Sequence, residues 1–148
     1  MKIMRAIGSG LIGAVSLTLL HEILRRVVPE APRMDLLGMR ALSKSMRKLD
    51  VEPPKGKELF NLTMAGDLAS NALYYSLVGL IGKGKQTWLS GAALGLAAGI
   101  GAVVLPSAMG LGSGPSRRTP TTAILTILLY LQGGVAAAAA YRLMSEGD

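Results

Sequence analysis

One acidic residue, Asp67, stands inside the otherwise uncharged stretch of residues 59–82. If that stretch crosses a bilayer, the carboxylate lies about eight residues, roughly 12 Å, below the surface, at a cost of about 2.5 to 3.5 kcal/mol. Four arrangements would offset the cost: a carboxyl kept neutral, a bound cation, a salt bridge to Arg25 or Arg26, or a wet cavity. Thr63, Asp67, Asn71 and Tyr74 follow at steps of four, four and three, which sets them on one helical face. Together with His21, the only histidine, this face forms a candidate ligand or ion seam for a cation or for protons. Glu22, beside the histidine, completes the candidate set and is also in reach of Arg25 at i+3 and Arg26 at i+4. Membrane packing is an equally strong account of most of these positions, since hydroxyls and small residues join helices without further chemistry.

Other chemistries are thinly supplied. The chain has no Cys, which excludes disulfides, thiolate metal sites and Cys nucleophiles. His21, Glu22 and Asp67 make an incomplete ligand set, so no metal and no cofactor is expected. No Gly-x-Ser-x-Gly, phosphate loop or dinucleotide fingerprint occurs, which leaves no catalytic residue to name. A net charge of +7 could suggest nucleic acid, but the basic residues flank apolar runs and only Phe60 among the aromatics lies near a basic cluster. That distribution points to the lipid bilayer and to anionic headgroups, with no nucleic acid partner.

The elements that must position these residues follow from charge segregation. The 148 residues are half apolar, with a mean hydropathy of +0.42, and residues 86–116 and 119–141 carry no Asp, Glu, Lys or Arg. Each run exceeds the roughly 20 residues that cross a hydrocarbon core, so the class expected is all-α: a polytopic membrane protein with a four-helix bundle in a single domain, 1–148. The spans expected are 6–27, 59–82, 88–111 and 121–144. The first begins like a signal peptide but ends in His21, Glu22, Arg25 and Arg26 without a small-residue cleavage site, so a retained span is expected, stopped by Pro29 and Pro32.

Residues 33–49 place Met34, Leu37, Leu42, Met46 and Leu49 against Arg33, Arg40, Lys44, Arg47 and Lys48. This predicts a short amphipathic helix, either in the membrane plane with its basic residues on lipid headgroups or packed on the protein itself. Gly91, Gly95 and Gly99 recur every four residues and predict close helix packing, within the chain or between subunits. Eleven Lys and Arg fall in the first and third connections or their flanks against five elsewhere, so those connections are expected to be cytoplasmic, with both termini outside a bacterial inner membrane. A loose compositional echo between residues 8–75 and 91–130 suggests two hairpins.

Function is far less legible than location. The first expectation is an accessory, scaffold or lipid-interacting subunit, a homo-oligomer or part of a membrane complex. The alternative is a minimal cation- or proton-coupled transporter or channel built around Asp67. A membrane enzyme acting on a lipid or quinone has least support.

Overall fold

A computed structural model describes residues 1–146. The elements are α1 (Lys2–Val27), α2 (Met34–Lys48), α3 (Gly56–Ile81), α4 (Gln86–Ala108), the single turn α5 (Gly114–Arg117) and α6 (Pro120–Ser145). No strand occurs among the described residues. The last two residues of the expected domain lie outside them.

Local chemistry accounts for the boundaries. Val28 is extended, as a residue just before Pro29 must be, and this ends α1. Thr119 caps α6 by accepting from the Thr122 N–H, with Pro120 in the first helical position, where no N–H is needed. Pro106 does not cut α4 at once; the helix runs on to Ala108. Gly110 then takes a φ of +67°, a backbone conformation that favours glycine.

The burial pattern is inverted relative to a protein in water. Ile3, Ile7, Leu11, Leu19 and Ile23 form an exposed row along α1, while Ala6, Ser9, Gly10, Gly13 and Ala14 face inward. Small residues let helices approach, and large apolar ones meet the surroundings, as expected where the solvent is lipid. Three helices, α1, α4 and α6, are long and apolar enough to cross a membrane. Helix α3 matches α1 at 26 residues but carries the Thr63 to Tyr74 polar face, and composition leaves it outside that set.

Two antiparallel pairs, α1 with α3 and α4 with α6, join through α1 and α6. At the join a Cβ on Gly13 would meet Gly133 O at 2.7 Å. Between α4 and α6, a Cβ on Gly91, Gly95 or Gly99 would fall 2.5 to 2.7 Å from the backbone of Gly134, Tyr130 or Ile127. The glycine stripe therefore acts inside the chain, against α6. Helices α3 and α4, though consecutive, touch far less, and α2 bridges the opening between them.

Candidate functional site

Helix α2 decides which residues meet. It packs against α3, where a Cβ on Gly38 would press on Thr63, and it is fixed at its far end by side chains: Arg40 Nη1 donates to Leu111 O at 3.0 Å and Lys44 Nζ to Met109 O at 2.5 Å. Both carbonyls lie just past the C-terminus of α4, where unpaired acceptors and the negative dipole end favour cations. Of the five basic residues expected on lipid headgroups, these two therefore bond protein carbonyls, and a third, Arg33, pairs with Asp35. Arg40, Lys44, Arg47 and Lys48 are all exposed, the last two without a protein carbonyl to bond among the described residues. The packed alternative thus describes the inner face of α2.

Asp35 is buried at the start of α2 and receives two bonds from Arg33, at 2.9 and 2.7 Å. Burial pushes its carboxyl up, but the Arg33 bonds and the positive charge of Arg33 and Arg25 outweigh this and hold it below the ordinary 3.8. The same bonds raise the Arg33 guanidinium.

His21 anchors the first connection. Its Nε2 lies 3.0 Å from Pro32 O and 3.3 Å from the Met34 N–H. Since a carbonyl can only accept, the shorter contact is made by Nε2–H donating to Pro32. Thr122 donates to Glu30 O, and Arg118 donates to Pro29 O, so three side chains, from α1, α6 and the link before α6, hold this loop.

The predicted seam is divided. His21, Thr63 and Asp67 line one cavity of about 20 Å³, with Thr18, Asp35 and Tyr130 among its other walls. The space suits about one water. Thr18 Oγ1 and Thr63 Oγ1 are buried there without hydrogen-bond partners. Tyr74 does not enter this cavity; its hydroxyl donates to Leu94 O at 2.8 Å, tying α3 to α4, and it lines a separate cleft of about 640 Å³. Asn71 is buried but lines neither space. Glu22 lines neither space: its carboxylate lies 3.8 Å from His21 Nδ1, while Arg25 donates to it twice, at 2.8 and 2.7 Å, and Arg26 once, at 3.5 Å. Neither arginine is thus an ion-pair partner of Asp67, and the salt bridge weighed from sequence is replaced by one within α1.

Asp67 alone borders both the small cavity and the cleft on the α3 side, and Tyr130 does so from α6. Tyr130 and Thr18 belong to stripes visible in sequence at steps of three and four, but nothing in a spacing says which stripes meet. Asp35, in the first turn of α2, carries no sequence signal that would make it a cavity wall. No group of three or more His, Asp or Glu suited to a metal occurs among the described residues. Comparison with known protein families, curated proteins and solved structures gives no match.

Proposed function

We propose that all four long helices cross the bilayer of a bacterial inner membrane, with α2 on the cytoplasmic side and both termini outside, and that the protein holds anionic lipid there as an accessory or scaffold subunit. One observation carries this reading. A groove of about 690 Å³ beside α2 has Arg40, Lys44, Arg47 and Lys48 on its polar side and Leu36, Met39 and Leu59 on its apolar side. Such a pairing of cations with apolar surface matches a phosphorylated headgroup and the start of its acyl chains. Arg40 and Lys44 are drawn toward α4 carbonyls, which leaves Arg47 and Lys48 to attract the headgroup.

Replacing both residues, Arg47→Gln with Lys48→Gln, removes roughly 2 kcal/mol of attraction, about a thirty-fold loss of affinity. Native mass spectrometry of protein exchanged between phosphatidylglycerol and phosphatidylcholine should show selective phosphatidylglycerol retention in the parent and its loss in the double variant. Equal retention of the two lipids by the parent would overturn the reading.

A second reading, cation- or proton-coupled transport, is favoured by Asp67, which has no Arg or Lys partner among the described residues and borders two spaces. Asp67→Asn should then abolish flux in proteoliposomes. Flux at the parent level in that variant removes this reading.

A further inference from the structure

The cleft of about 640 Å³ bounded by α2, α3, α4 and α6 is distinct from the basic groove, because the two lie on different faces of α2. Leu37, Gly38 and Ala41 face the cleft, whereas Arg40, Ser43 and Arg47 face the groove. The cleft follows from how α4 divides its small residues. Gly91, Gly95 and Gly99 lie against the backbone of α6, while Ala98, Gly101 and Ala102 turn toward α3 and find no helix close enough to fill the space. Its volume falls within the roughly 300 to 1,000 Å³ typical of small-molecule sites.

The lining is chemically one-sided. It contains one ionisable acid, Asp67, and no Lys, Arg or His. Asp67 is the twelfth of the 26 residues of α3, close to mid-helix. The other polar groups of the lining are Ser70, Tyr74 and Tyr130, and the Ser70 hydroxyl already donates to Asp67 O while the Tyr74 hydroxyl donates to Leu94 O; His21 shares only the small cavity on the other side of Asp67. What the cleft offers a ligand is thus a carboxylate, two tyrosine rings and apolar walls. Aromatic faces attract cations, most strongly when both are removed from water. A small hydrated metal ion would find too few oxygens, and an anionic headgroup would find no basic side chain in the lining. From this charge complementarity we propose that the cleft binds a lipophilic organic monocation, such as a quaternary ammonium or phosphonium compound, with its charge beside Asp67. Lipid holding at the basic groove is not required.

The test uses full-length protein in phosphatidylcholine nanodiscs, with tetraphenylphosphonium as probe and tetraphenylborate as an anion of nearly the same shape. Tetraphenylphosphonium should bind saturably at one per protein, and tetraphenylborate should only partition into lipid. Asp67→Asn should weaken binding at least ten-fold with helicity and elution volume unchanged. Ala102→Leu keeps the charge but fills the cleft, and should weaken binding comparably. Absence of saturable binding by the parent overturns the proposal. So does equal binding of the anion, which would mark the cleft as an acyl-chain site, or binding within two-fold of the parent in a folded Asp67→Asn protein. If that variant does not fold, Ala102→Leu decides: parent-like binding overturns the proposal, and the expected loss supports it.

Discussion

Buried charge in this molecule is settled by very short-range partners. Glu22 is satisfied by Arg25 and Arg26 on its own helix, and Asp35 by Arg33 two residues away. Asp67 differs in having no Arg or Lys partner among the described residues and in bordering two spaces. The Asp35 pair makes a testable case because its acid is almost wholly buried, whereas the side chain of Arg33 is 37% exposed. Removing the arginine leaves a buried carboxylate without the partner that donates to both its oxygens; removing the carboxylate returns the arginine to water. Arg33→Ala should therefore cost more, about 3 kcal/mol, than Asp35→Asn at roughly 1 to 2 kcal/mol, read as thermal denaturation in detergent at pH 7. The folded carboxyl titrates below 3.8, so its contribution is complete above that value and is lost as pH falls through the lower, folded value. The gap between parent and Asp35→Asn should accordingly close in acid, once the pH has fallen through that lowered folded value. An Asp35→Asn protein with the parent's melting temperature at pH 7 would show that the pair does not hold α2 in place.

At the scale of elements, helix contacts are made by backbone surfaces, and their tolerance of substitution should differ sharply along the chain. A Cβ on Gly95 would stand 2.7 Å from Tyr130 O and 2.8 Å from Leu131 Cα, atoms that cannot turn aside. Gly66, in α3, has nothing within 4 Å. Gly95→Ala should thus destabilise by about 1 to 3 kcal/mol, while Gly66→Ala should stabilise by about 0.5 to 1 kcal/mol through its helix propensity. Melting curves of the two variants that shift in the same direction would contradict this assignment of packing. The same distinction explains what could be foreseen. Uncharged runs and prolines carry element boundaries, so the expected 59–82 and 121–144 segments correspond closely to Gly56–Ile81 and Pro120–Ser145. The single turn Gly114–Arg117 lay hidden in a Gly, Ser and Pro loop, since one turn has too little periodicity to read. Partners across space were equally hidden. Four-residue spacing put Thr63, Asp67, Asn71 and Tyr74 on one face, yet that face is wide enough for Thr63 to meet α1 and α2 while Tyr74 meets α4. Nor could spacing show that Arg40 and Lys44 bond the carbonyls just past the end of α4.

The whole molecule is arranged by its surroundings as much as by its contacts. Large apolar side chains line the outside of α1, and alanine and glycine fill the inside, so the bundle gains close approach internally and leaves its bulk to the bilayer. Helix α3 sits oddly in this scheme, because composition alone does not mark it as a span. Its placement does argue for crossing: it runs antiparallel to α1 along a close interface, with Lys2 donating to Leu80 O at one end and Arg25 over the Phe60 ring at the other. An apolar neighbour can carry a polar helix across if the polar face turns inward, as Thr63 and Asn71 do. The absence of native cysteine makes this directly measurable with single-cysteine variants. Ser45→Cys, on exposed α2, and Lys83→Cys, in the exposed turn after α3, should react from opposite sides with a membrane-impermeant maleimide. Labelling of Ser45→Cys should require opened membranes and that of Lys83→Cys should not, because the positive residues gather on the α2 side. If both react from the same side, α3 does not cross.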